Sequence, residues 1–192
     1  MKRTSLFLAF ALSASVAFSQ ASWTVDKAHS NIQFNVTHMV VAEVNGSFSD
    51  FEGKVTSTDD DFDGANVEFV AKVGSIDTDN ERRDNHLKSD DFFNAEKYPE
   101  LKFAGKLIKE GDKYLLKGKF TIRDVTKDVT FNVKYMGKVD TGRGQKAGFK
   151  IEGKINRLEY GLKWDSALQS GELVVADEVE IVCRVELNKA DA

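Results

Sequence analysis

Apolar and polar residues alternate with a period of two over most of this chain, and that habit restricts its fold more than any other feature. Ile32, Phe34, Val36 and His38 fall on one side of an extended segment, as do Val67, Phe69, Ala71 and Val73. The same spacing recurs in Tyr114-Leu116-Gly118-Phe120-Ile122, in Val129-Phe131-Val133-Tyr135, in Ala147-Phe149-Ile151-Gly153-Ile155 and from Val179 to Leu187. Period two describes a strand with one buried and one wet face, which is the signature of an antiparallel sheet. Turn formers separate the runs at Asp63-Gly64, Glu110-Gly111-Asp112 and Thr141-Gly142-Arg143-Gly144. No repeat or linker interrupts them, so the reading is one all-β domain of about eight antiparallel strands. Such strands can close as a two-sheet sandwich or as a barrel, and periodicity does not choose between them. Glycines at 46, 105, 118 and 153 share the inward register, where they supply either curvature or empty volume.

One long stretch escapes the alternation, Arg82 to Phe103. Asn80 before Glu81, and Ser89 before Asp90-Asp91, are two helix-start signals, each a capping side chain followed by acid in the first turn. Pro99, the sole proline, forbids continuation. Two short helical turns carrying Phe92 and Phe93 are therefore expected as a cap on one end of the sheet structure.

Met1 to Ala21 is expected to be a removable secretory signal: Lys2 and Arg3 precede an apolar run from Leu6 to Phe18, followed by small residues at Ala17, Ser19 and Ala21. The run is shorter than the roughly 20 residues needed to span a bilayer, so no stable membrane insertion is expected. Residues 22–192 then form the domain. Loss of Lys2 and Arg3 leaves 25 basic against 31 acidic residues, a net charge of −6 that argues against nucleic acid and anionic surfaces. Cys183 is the lone cysteine, in step with Val179, Ile181, Val185 and Leu187, and reads as a buried apolar filler.

No nucleophile elbow, phosphate loop, dinucleotide fingerprint or paired-cysteine site is present, so no catalytic residue and no cofactor is assigned. The three histidines, His29, His38 and His86, lack metal-site spacing, and no metal is expected. His29 or Ser30 is expected to bond backbone in a turn. Arg83 and Asp84 read as ion pairs pinning the cap, with Arg83, Asp84, His86 and His38 as candidates for contact with a ligand head group.

Trp23-x-x-Asp26-x-x-His29-Ser30, Phe34 with His38, Gly46-Ser47-Phe48, Arg83-Asp84-x-His86-Leu87-Lys88-Ser89-x-x-Phe92-Phe93, Tyr98-Pro99, Gly118-x-Phe120-Thr121-Ile122, Val125-Thr126-Lys127 and Arg157-x-x-Tyr160-Gly161 together resemble the YceI-like family, in order and over nearly the whole mature chain. The resemblance implies an eight-stranded antiparallel lipocalin-like barrel with short helical cap segments around an apolar tunnel. It further implies an exported, periplasmic or secreted protein that binds long-chain amphiphiles such as polyisoprenoids, isoprenoid quinones or fatty-acid amides, in a family with dimeric members, so that a homodimer is an expectation. Arg123 departs from the glycine common before the Val-Thr-Lys turn, and acid replaces proline near Asp90. On this reading a ligand tail lies among Phe34, Val36, Phe48, Phe69, Phe103, Phe120, Phe131, Phe149 and Ile151, with Phe92 and Phe93 near the capped mouth. Two rival readings are an enzyme on a lipid-like substrate with His38 or His86 as general base, and a non-binding envelope stress protein whose barrel is filled.

Overall fold

A computed structural model describes residues 20–165 and 174–190. The signal expected over Met1–Ala21 lies outside the described residues except for its last two, as does the irregular segment expected near Ser166–Gly171. The strands are β1 (Ala21–Val25), β2 (Asn31–His38), β3 (Ala42–Phe48), β4 (Phe51–Ser57), β5 (Asn66–Lys72), β6 (Ile76–Asp77), β7 (Glu100–Glu110), β8 (Lys113–Ile122), β9 (Val125–Asp140), β10 (Gln145–Asn156) and β11 (Val175–Lys189). One helix, α1 (Glu81–Lys88), lies between β6 and β7.

These eleven segments make eight antiparallel staves of a closed barrel. β1 and β2 both pair with β11, β4 and β3 pair with β1 and β2 in turn, and β5 and β6 pair with β4 and β3, so three staves are each split in two. The breaks lie side by side. Lys72 N–H donates to the Asp50 carbonyl at 2.8 Å and Asp50 N–H donates to Ser75 Oγ at 3.0 Å, while Lys27 pairs with Asp50 at 3.2 Å, which stitches the bend across neighbouring staves. The choice between sandwich and barrel is settled by the seam: Trp23, Thr24 and Val25 of β1 pair with Lys189, Asn188 and Leu187 of β11. Among the described residues no helix is long and apolar enough to cross a membrane.

The inward glycines do not leave empty volume. A Cβ on Gly46 would overlap the Phe34 ring, and one on Gly153 would overlap the Phe131 ring, so phenylalanines fill the space the glycines free. Gly105 and Gly118 face each other across β7 and β8, where a Cβ on Gly105 would overlap the Lys117 carbonyl and lie 2.7 Å from Gly118 Cα. Backbone cannot step aside as a side chain can. Gly105→Ala should therefore cost about 2–3 kcal/mol in urea unfolding, and a loss below about 0.5 kcal/mol would show that the two strands can separate freely.

The ends of the barrel differ. At one, Phe62 from the β4–β5 loop, 1% exposed, is wedged among Trp23 (5.1 Å between ring centres), Phe149 (5.2 Å) and Tyr135 (5.8 Å) and stops the lumen. At the other, α1 and the turns that follow it form the cap. Asn80 caps α1 as expected, its side chain accepting from Arg83 N–H at 3.0 Å. The second helix does not form. Ser89 is spent at the C-terminus of α1, its hydroxyl donating to the His86 carbonyl at 2.7 Å, and Asp90-Asp91 lies in turns rather than at a helix start.

Candidate functional site

The barrel encloses a cavity of about 230 Å³, measured as space open to the centres of water-sized spheres, and the surface facing it is wholly apolar. It is reached by the inward face of β2 (Phe34, Val36), β3 (Phe48), β5 (Phe69), β7 (Phe103), β8 (Phe120), β9 (Phe131) and β10 (Phe149, Ile151), with Phe92 and Phe93 of the cap at one end. All eleven residues assigned to a tail from sequence thus border one space. Because the rings of Phe34, Phe103 and Phe131 lie over wall glycines, they are held against the staves rather than across the axis.

Residues not assigned to a ligand border it as well, notably Ile181 and Cys183 on β11 and Leu87, Leu162 and Arg157 at the capped end. The alternation of β11 carried the signal for the first two, which had been read only as core. Cys183 is half-buried rather than fully buried although it lies inside the barrel, because its free surface faces the cavity. Burial pushes its thiol up to about 12.

None of the four head-group candidates borders the cavity. His38 ends β2, half-buried. Arg83 and Asp84 do not pair with each other; both hold Thr78. Thr78 N–H and Oγ–H donate to Asp84 Oδ1 at 2.9 and 2.6 Å, while Arg83 Nε and Nη2 donate to Thr78 Oγ (2.8 Å) and its carbonyl (2.6 Å). The pin between α1 and β6 is thus a hydrogen-bond relay through a threonine, not the expected ion pair. His86 bonds Asp91 at 2.9 Å and sets its ring edge-on to Phe92 (5.1 Å) and Trp164 (5.5 Å).

Two arginines bind the rim together. Arg123, in the β8–β9 turn with φ 56°, donates through Nη1 to the carbonyls of Phe92 (3.0 Å) and Gly161 (3.2 Å) and lies 5.5 Å over the Tyr98 ring. The left-handed φ accounts for a preference for glycine there; the side chain offsets the strain by joining the cap to the segment after β10. Arg157 is 3% exposed and makes five bonds: Nε to Ala176 O, Nη1 to Leu162 O and Trp164 O, Nη2 to Val175 O and Asp177 Oδ1. A guanidinium has five N–H groups, so none is left for a ligand.

Outside the wall, Asp26, His29 and Glu186 stand close enough to share an ion, among the described residues the one such group. Lys146 Nζ already lies 3.1 Å from Asp26 and pairs with Glu186, occupying the space between the two carboxylates and offsetting half of their charge. Hydrogen bonds from His29, Asn188 and Lys146 hold the Asp26 carboxyl well below the usual range. His29 therefore bonds a carboxylate rather than backbone, while Ser30 bonds the Glu186 backbone as expected.

Residues 23–187 match the YceI-like domain. A UPF0312 protein of Photorhabdus laumondii is 36% identical over 187 residues, covering 94% of this chain and 97% of its own. A UPF0312 protein of Staphylococcus aureus is 33% identical, covering 87% and 97%. Among solved structures, the YceI protein of Campylobacter jejuni superposes with a TM-score of 0.69 at 26% identity, covering all of both chains. BcnA of Burkholderia cenocepacia gives 0.73 at 23%, covering 84% and 98%. A polyisoprenoid-binding domain of Saccharophagus degradans gives 0.63 at 14%, covering 88% and 98%. The last two are likenesses of fold.

Proposed function

The chain belongs to the YceI-like family, and from that premise we propose that it is an exported carrier that holds the hydrocarbon tail of an amphiphile, a polyisoprenoid or isoprenoid quinone, inside the barrel. One observation carries the reading: the enclosed surface offers no polar atom to anything that enters. Such a space rewards an oily chain and nothing else, at roughly 0.8 kcal/mol per CH₂ against water. A fold-level likeness to a protein described as polyisoprenoid-binding supports the same class of ligand. The basic start and apolar run within Met1–Ala21, read as a secretory signal, support export to the periplasm or beyond. A catalytic reading requires a base within reach of the substrate, and neither His38 nor His86 faces the cavity. A filled barrel would leave no such volume.

Cavity size narrows the proposal. At ~10–15 Å³ per water on the same measure and ~30 Å³ of liquid each, the volume corresponds to about 500 Å³, or a chain of about fifteen to twenty carbons. A tail of about forty carbons fits only in part, and its remainder would leave by the capped end, since Phe62 stops the other. With lipid-free protein and prenyl alcohols of about ten to about forty carbons, affinity should climb with length and flatten near about twenty. Absence of binding across the whole series would defeat the carrier proposal.

Cys183 gives an independent readout. With its thiol near 12, almost none is thiolate at pH 8, so alkylation by iodoacetamide should run at least about a hundredfold slower than for an exposed cysteine. Loading a prenyl alcohol should slow it further by occlusion. Equal rates with and without ligand would place the tail elsewhere.

A further inference from the structure

The turn between β2 and β3 breaks the rule by which the outer surface is composed. Of the five large apolar side chains exposed among the described residues, three are consecutive here: Met39 is 40%, Val40 60% and Val41 87% exposed. The backbone makes the choice more pointed. Met39 (φ 49°) and Val40 (φ 64°) are both left-handed, a region in which a β-branched residue is strained and which glycine or asparagine occupies readily. A turn selected only to reverse the chain would carry those residues, so the apolar side chains themselves are what this turn retains.

Its location is as specific as its composition. Met39 N–H donates to the Val174 carbonyl at 2.9 Å; Val175, next in the chain, borders the cavity and its carbonyl holds Arg157. Directly along β2, Val36 and Phe34 face the cavity. The tip therefore stands at the capped end. The stopped end presents Asp59-Asp60-Asp61 in the loop that carries Phe62.

We propose that Met39-Val40-Val41 is a membrane-contact tip, which enters the interfacial layer of a lipid bilayer and brings the capped end of the barrel against the leaflet. What passes there rests on the carrier reading; the contact itself does not. Three side chains on a convex turn fall far short of the ~800 Å² per partner of a standard protein interface, whereas a bilayer needs no complementary face. Net charge of −4 for the whole chain removes attraction to anionic lipid, so insertion is driven by apolar burial and is insensitive to salt.

The test compares the protein with the triple variant Met39→Ser, Val40→Asn, Val41→Ser, whose asparagine suits the left-handed position. Flotation with phosphatidylcholine vesicles, at low salt and at about 0.5 M salt, should show binding by the parent at both and a loss of at least about tenfold in the variant. Transfer of a dansyl-labelled hexadecyl probe from those vesicles should slow in proportion, while loading from detergent micelles stays unchanged. A parent that does not float, a variant that floats equally well, or a tip effect seen only as loss of a dimer would each overturn the proposal. Failure of the parent to load from either source, with the flotation difference intact, would count against the carrier reading and leave the membrane tip standing.

Discussion

Replacing Arg157 by methionine is expected to lower the unfolding free energy by about 3–5 kcal/mol. Methionine keeps an apolar stem beside the cavity, so the loss isolates the guanidinium. Four backbone carbonyls, of Leu162, Trp164, Val175 and Ala176, and the Asp177 carboxylate would lose their donor together. The Leu162 carbonyl is buried and the other four acceptors are part-buried, so water can replace these bonds only incompletely, and acceptors left without partners are costly. Arg157→Lys, with a single nitrogen at a different reach, should recover at most about half of the loss. Urea titration followed by both far-ultraviolet dichroism and tryptophan fluorescence reads the effect; a methionine variant within about 1 kcal/mol of the parent would mean that the rim is held by packing alone.

Cys183→Trp should reduce affinity for a hexadecyl or prenyl probe by about a hundredfold while leaving the barrel folded. The thiol borders the cavity between Ile151 on β10 and Ile32 on β2, its cross-strand neighbours. An indole there takes the room of several methylenes, and three or four of them at ~0.8 kcal/mol each correspond to about two decades of affinity. The apolar surroundings accept an aromatic ring, so the melting temperature should move by only a few degrees. Cys183→Ala, which adds no volume, should bind within a few-fold of the parent. If tryptophan leaves affinity unchanged, the ligand does not use this part of the barrel.

The inward faces were legible because burial on one side of a strand imposes period two on the sequence, and the nine assigned tail residues that lie on strands reach the cavity on that account, while Phe92 and Phe93 reach it from the cap. Rim chemistry was not legible in the same way. Arg157 stood out only as part of a family motif, with no local signal of burial; its burial depends on carbonyls contributed by residues up to nineteen positions away. Ser89 followed by two acids satisfies the local rule for starting a helix, yet the preceding helix takes the serine for its own end. Phe62 sits in an acidic loop with no periodicity to expose it, and it takes a left-handed φ of 65° there, with its ring edge-on to Phe149. Local pattern reports which way a side chain faces; it does not report which distant backbone will come to meet it.

The seam between β1 and β11 joins the first strand of the barrel to the last by three residue pairs. A polymer that must bring such distant partners together loses loop entropy before it gains contact, and so folds late and slowly. While the chain is being made, the leading strand has β4 on one side but keeps its other edge open and adhesive until the final stave emerges. Survival of that interval calls for a holding factor or for rapid completion of the remaining strands, a demand placed on the cell by where the ring happens to close.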